Sequence, residues 1–316
     1  MDTRQSLVDA AEQTIRKGSK SFAAASRLFD RTTRERVWLL YAWCRACDDL
    51  IDGQELGGEL TRPEDVDDRL VTVRRLTSQA FAGVPTGDVA FDALGLVARE
   101  TGLTLAMAED VIAGFALDVA DWQPRSEADL MRYCWHVAGA VGVMMAVVMG
   151  VSPGDDETLE RAGDLGLAFQ LANIARDVAE DDRAARCYVP AEWLAENGIP
   201  PGEQMKPPYR AGLVSAVTRL CQLAHAHECS ARLGAARLRF RQRWAILSAA
   251  GIYGEIARAV QKRGAQAWDN RTVVSDRRKL MWIVRAALRA LRPVPRSSQR
   301  AAQTRRFTRR ELAGQA

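Results

Sequence analysis

The chain has 316 residues, 47% hydrophobic and 27% charged, with 11 prolines and 23 glycines. That composition excludes a disordered, collagen-like or disulfide-built protein and gives enough length for one large or two medium domains. Of 44 basic and 40 acidic residues, eight arginines and one acid (Glu311) lie from Arg289 onward, leaving 36 basic and 39 acidic residues in a body too acidic to suit a nucleic-acid partner.

The start, Met1-Asp-Thr-Arg-Gln-Ser6, lacks the apolar segment of a secretory signal. Apolar residues then recur at helical spacing over Ser6 to Lys17, Ser21 to Phe29, Thr33 to Asp52, Pro63 to Phe81, Val89 to Thr101 and Thr104 to Asp118. The same spacing continues over Glu127 to Met149, Asp155 to Asp181, Tyr209 to Arg232, Ala235 to Ala267 and Arg277 to Leu291. Punctuation falls at Gly53 to Pro63, Gly83 to Gly87, Pro153-Gly154 and Asn197 to Pro208, and no convincing alternating strand is present. The pattern predicts a single all-α domain over residues 1–291 around a buried core.

The longest apolar run, Val137 to Val151, is shorter than the roughly 20 residues of a spanning helix and reads as a core helix. Six scattered cysteines read as reduced core thiols, and Cys44-x-x-Cys47 lies inside a helix, away from the helix start that redox pairs use. After Pro293-Val-Pro295 little remains to bury. Residues 292–316 are therefore expected as a disordered basic tail, with attraction to anionic lipid as its one functional reading.

Two helices carry acidic faces. Thr32 and Glu35 have capping-box spacing. On the helix that follows, Tyr41, Arg45, Asp48 and Asp52 fall within about 60° of one another, beside the apolar Val37, Leu40, Cys44 and Ile51. Gln170, Asn173, Asp177 and Asp181 fall within about 80°, flanked by Ile174 and Val178. Like charges one turn apart are destabilising, and more so when half-buried, so two such ladders point to a bound cation. Carboxylate and amide oxygens without His or thiolate suit Mg²⁺, which commonly shares its shell with substrate phosphates. Arg45 and Arg176 have the fork that grips phosphate oxygens, and the same spacing also fits intrahelical ion pairs. Gly139 and Gly142 either leave room for an apolar chain or let helices pack closely. Tyr41, Tyr133 and Tyr253 are core aromatics or ring faces for a carbocation. With three histidines and no His-Glu-x-x-His, Gly-x-Gly-x-x-Gly or Walker pattern, zinc, dinucleotide and P-loop chemistry find no support.

The segments Ser19-Lys-Ser-Phe22, Tyr41-x-x-x-Arg45-x-x-Asp48-Asp-Leu-Ile-Asp52, Tyr133-Cys-Trp-His-Val-Ala-Gly-Ala-Val-Gly142, Gln170-Leu-Ala-Asn173-Ile-Ala-Arg176-Asp177-Val-Ala-Glu-Asp181 and Tyr188-Val-Pro190 together resemble the head-to-head prenyl synthases of the squalene/phytoene synthase family. The resemblance runs to about Leu291. One departure stands out: where relatives usually have Arg-Gly-Arg, this chain has Ala185-Arg186-Cys187 before Tyr188.

The resemblance implies an isoprenoid-synthase helical fold around a central apolar cavity. It also implies condensation of two geranylgeranyl diphosphates, through a cyclopropyl (prephytoene) diphosphate, to phytoene for carotenoid biosynthesis. Asp48, Asp52, Asn173, Asp177 and Asp181 are then the metal ligands, for Mg²⁺ or Mn²⁺, and no NADPH is expected. Tyr41, Arg45, Tyr133 and Arg176 are the catalytic candidates, and Ser19, Ser21, Phe22, Gln170, Tyr253 and Arg271 the substrate contacts. A squalene or dehydrosqualene synthase using farnesyl diphosphate is the neighbouring alternative, and a non-catalytic helical assembly factor the alternative of another class. A cytoplasmic location is expected, with contact to the inner face of the cell membrane and to carotenoid-pathway enzymes.

Overall fold

A computed structural model describes residues 3–52, 66–292 and 307–314 of the chain. The described residues are helical, without a strand: α1 (Arg4–Gly18), α2 (Lys20–Ser26), α3 (Arg31–Asp52), α4 (Val66–Phe81), α5 (Val89–Thr101), α6 (Leu105–Val119), α7 (Glu127–Cys134), a π-helical turn (Trp135–Gly139), α8 (Ala140–Val148), α9 (Asp156–Arg183), α10 (Ala191–Glu196), α11 (Arg210–Gly234), α12 (Phe240–Arg263), α13 (Asp276–Ala290) and α14 (Arg309–Leu312). The all-α expectation holds.

Most helix starts follow capping chemistry. Asp88 accepts from the N–H groups of Ala90 and Phe91, Thr104 from Met107, and Ser126 and Asp129 close a reciprocal box. The cap of α3 differs from the sequence expectation. Thr33 donates to Asp30 through its N–H at 3.0 Å and its hydroxyl at 2.8 Å, while Glu35 turns to Arg4 and Arg31, each at 2.7 Å. Starting the helix earlier leaves its faces unchanged, because the 100° step is continuous.

Within the chain two compact units are distinguished, residues 1–120 with 143–159 and residues 121–142 with 160–316. Both later boundaries fall inside helical segments, so no linker composition marks them. In the first unit α3 packs against α1, α4 and α5, over a core of Ile15, Leu39, Leu40, Trp43, Phe91, Leu94 and Ile112. In the second, α11, α12 and α13 pack in sequence, with Leu165, Ala231 and Ala250 in one buried cluster and Ala235, Leu247, Ala286 and Ala290 in another.

Glu127–Val148 is, among the described residues, the one stretch long and apolar enough to cross a membrane by length and composition, and 67% of its most apolar window is buried within the protein, as in a core helix. It is not uniformly α-helical: Trp135–Gly139 forms i→i+5 bonds, the single-turn bulge that often marks a functional region. The glycines nearby are used for packing. A methyl at Gly139 would lie 2.7 Å from the Trp135 ring, and one at Gly142 would lie inside contact distance of the Ala162 carbonyl oxygen on α9. Packing therefore accounts for both.

Part of the segment expected as a disordered basic tail, residues 292–316, lies within the described residues. Phe307–Gly314 has defined structure: Thr308 and Glu311 box the start of α14, Leu312 is buried, and the Arg309 N–H donates to Glu160 at 3.0 Å. Thr308-x-x-Glu311 is a capping-box signal that composition obscured. Residues 293–306, like the expected loop at Gly53 to Pro63, lie outside the described residues.

Candidate active site

In the first unit, α3 presents Tyr41, Arg45 and Asp48 on one face, with Ile51 and Cys47 turned into the core. Asp48 is more open than the sequence implied, its side chain 46% exposed. Arg45 bonds Asp49, one helical turn on, and lies 3.9 Å from Asp48. Its Nε is buried without a partner. Asp49 is thus a member of this face that spacing alone did not single out. Burial pushes the Tyr41 hydroxyl above the ordinary phenol range, and the ring is tilted against Phe22 at 6.2 Å. A methyl at Gly18 would lie 2.6 Å from that hydroxyl, so Gly18 is the seat Tyr41 needs. Ser19 caps α2, accepting from the Phe22 N–H at 3.2 Å. The side chains of Ser21 and Asp52 are outside the description. Burial raises the Cys44 thiol to about 12 and lifts Cys47 well above its ordinary value, which favours the protonated thiols.

In the second unit, α9 places Gln170, Asn173, Asp177 and Asp181 along one half-buried face. Asp177 is gripped by two guanidinium groups: Arg176 donates from Nε at 2.7 Å and from Nη2, and Arg271 donates from Nε at 3.0 Å. Arg176 thus makes the intrahelical pairing that its spacing also allowed. Burial and the neighbouring Asp177 charge push Asp181 up to about 7. The Asn173 Oδ1 is buried with no hydrogen-bond partner.

These features are a fit test for a hard cation. An orphaned amide oxygen and a carboxylate that resists ionisation are both short of positive charge, and every donor is oxygen, as Mg²⁺ requires. Among the described residues no three His, Cys, Asp or Glu side chains converge on one point. Within each unit the donors form a ladder along a helix and not a closed cage, the arrangement expected where a ligand supplies the remaining oxygens.

Two aromatic groups lie in the second unit. Tyr133, buried, stacks between Tyr188 at 4.9 Å and Trp122 at 5.7 Å. Tyr253 stacks on Phe169 at 3.9 Å, and burial raises its hydroxyl. Trp122 and Tyr188 were absent from the sequence-derived site. Tyr188 was available within Tyr188-Val-Pro190, whereas Trp122 lies in a loop with no periodic signal.

The departure at Ala185 has a structural meaning. The end of α9 closes with Arg186 N–H on the Asp181 carbonyl at 2.8 Å and Ala185 N–H on that of Asp182 at 3.0 Å, which places Ala185 at φ 56. This is the left-handed position that glycine fills at helix ends. Ala185→Gly should therefore stabilise the chain, by about 1 kcal/mol, measured by urea unfolding. A destabilisation would show that the alanine methyl makes a contact worth more than the strain.

A sequence model of the squalene/phytoene synthase family matches residues 15–279. The 15-cis-phytoene synthase of Pantoea ananas is 45% identical over 288 residues, covering 90% of this chain and 93% of that one. The 15-cis-phytoene synthase of a Paracoccus strain is 43% identical, covering 87% and 88%. Among solved structures, a dehydrosqualene synthase in complex with ligand superposes with a TM-score of 0.80 at 28% identity, covering 90% of this chain and 97% of that one. A squalene synthase from Alicyclobacillus acidocaldarius, at 22% identity and a TM-score of 0.72, covers 83% and 95% and supports the fold.

Proposed function

The chain belongs to the squalene/phytoene synthase family, and from that membership we propose that it joins two geranylgeranyl diphosphates head to head to give phytoene. It is a prenyltransferase-type enzyme, and relatives 45% and 43% identical over most of both chains favour this product over a squalene-type one. The observation that carries the chemistry is the face of α9, where Asn173 Oδ1 lacks a partner and Asp181 resists ionisation.

In the first unit Asp48 and Asp52 on α3, and in the second Asn173, Asp177 and Asp181 on α9, are the residues that would hold Mg²⁺, each set by itself. An ion held by either set would supply charge to neutralise a departing diphosphate. Arg45 and Arg176 present guanidinium forks that match diphosphate oxygens, and Arg271 is placed to share the same duty through its contact with Asp177. In the stack of Trp122, Tyr133 and Tyr188 the outer members would offer ring faces to a developing allylic cation, with Tyr133 holding them in place.

The atoms balance without a reductant. Loss of one diphosphate and one proton joins the chains as a cyclopropyl diphosphate. Loss of the second diphosphate and another proton gives the hydrocarbon. No hydride enters, so NADPH is not required.

The test is mass spectrometry of the hydrocarbon formed from geranylgeranyl diphosphate and Mg²⁺ without NADPH, with Asp48→Ala alongside. A forty-carbon product, lost on chelation and in the variant, is expected. Product only from farnesyl diphosphate would overturn the substrate assignment, and product insensitive to chelation would overturn the metal assignment.

A further inference from the structure

The inner face of α13 is filled by Trp282, Ile283, Ala286 and Ala290. Ala286 and Ala290 are buried in the cluster with Leu247, and the Trp244 indole N–H donates to the Ile283 carbonyl at 2.8 Å. The outer face is apolar too. Leu280 is 62% exposed, Val284 52%, Leu288 58% and Leu291 69%, and at 100° per residue these four, with Met281, occupy a stripe about 100° wide.

Isolated exposed leucines are ordinary, but a continuous stripe along about three turns of one helix is not. Beside it, Arg278, Arg285, Arg289 and Arg292 fall on the adjoining strip of the same helix, and Arg277 stands within the stripe itself. From Asp276 to Arg292 there are six basic residues and one acid. Arg277, Arg289 and Arg292 have no ion-pair partner among the described residues. A helix with an apolar stripe and a basic margin is the pattern that lies in the plane of a bilayer interface, stripe toward the acyl chains and cations among the headgroups.

We propose that the outward face of α13 docks this protein onto an anionic lipid surface. Charge complementarity decides against a second copy as occupant. A two-fold pairing of this face with itself would bring two arginine rows together with Asp276 as the one acid on each helix. Residues 293–306 offer few apolar side chains to set against leucines and add further arginines, Arg296, Arg300, Arg305 and Arg306. The inference stands independently of the proposed chemistry.

Sedimentation of the full chain with two vesicle types tests it, one of phosphatidylcholine alone and one with about a third phosphatidylglycerol. Binding is expected to the anionic vesicles and to weaken with salt. The variant Leu280→Ser, Val284→Ser, Leu288→Ser should bind about a hundredfold less tightly while melting and turning over detergent-solubilised substrate like the parent. The pair Arg277→Glu, Arg289→Glu should lose binding while retaining the stripe. Two results would overturn the proposal. In one, Arg296→Gln, Arg300→Gln, Arg305→Gln, Arg306→Gln abolishes binding while the serine variant keeps it, which assigns the contact to the segment after α13. In the other, the serine variant alters oligomeric state in light scattering and leaves vesicle binding unchanged, which assigns the face to a second copy.

Discussion

Alanine at Asp177 should lower turnover about a thousandfold while leaving the affinity for the diphosphate substrate intact or improved. Asp177 occupies two arginines at once, Arg176 and Arg271. Removing the carboxylate frees both forks for phosphate oxygens, so ground-state binding gains cations while the metal loses a ligand. Loss in kcat without a rise in KM is the signature of an interaction realised in the transition state. The same substitution relieves Asp181 of a neighbouring negative charge, so its carboxyl should titrate below the value of about 7 it holds in the parent. Single-turnover kinetics with the variant separate the two parameters. Retention of more than about a tenth of the parental turnover would remove Asp177 from the metal-binding set.

The second large effect is on stability. Gly166→Ala is expected to cost at least about 3 kcal/mol, the upper end for overpacking, which for a chain of this size is roughly 10 °C in melting temperature. A methyl at Gly166 would fall within bonding-like distance of the Ala138 carbonyl oxygen and 2.8 Å from the Gly139 Cα. Both are backbone atoms in the π turn, which cannot swing aside as a side-chain tip can. Gly163→Ala is the internal comparison, since its methyl would meet the Trp135 ring at 2.7 Å and a ring can tilt where a carbonyl cannot. The expected order of damage is therefore Gly166 above Gly163. Thermal melts that place both within about 1 kcal/mol of the parent would show that the two helices separate at little cost.

Much of the site was legible because helical periodicity is rigid. The faces of α3 and α9 follow from the 100° step, whatever residue begins the helix. Pairings within those faces were not legible: whether Arg176 turns to Asp177 or to solvent depends on side-chain rotamers that spacing does not specify. α13 shows a second limit. It has two apolar faces, and pattern alone cannot say which is inside. The structure buries the one built from alanines and Trp282, which admits close helix approach, and leaves the leucines outward. α10 was missed because six residues after Pro190 are too few to display a period, although proline at a helix start is itself a signal.

The π turn carries one implication for sequence change. Its extra residue per turn sets the angle between the part of the helix that bears Tyr133 and the part that bears Gly142. Deleting any one residue of Trp135–Gly139 would leave an unbroken α-helix, with every backbone bond satisfied. It would nonetheless rotate Tyr133 about 100° relative to Gly142, whose position is locked against Ala162, and so unstack it from Tyr188. A single-codon deletion at this turn is thus neutral for folding the helix and ruinous for the aromatic column, whereas a point substitution in the same five residues leaves that angle alone.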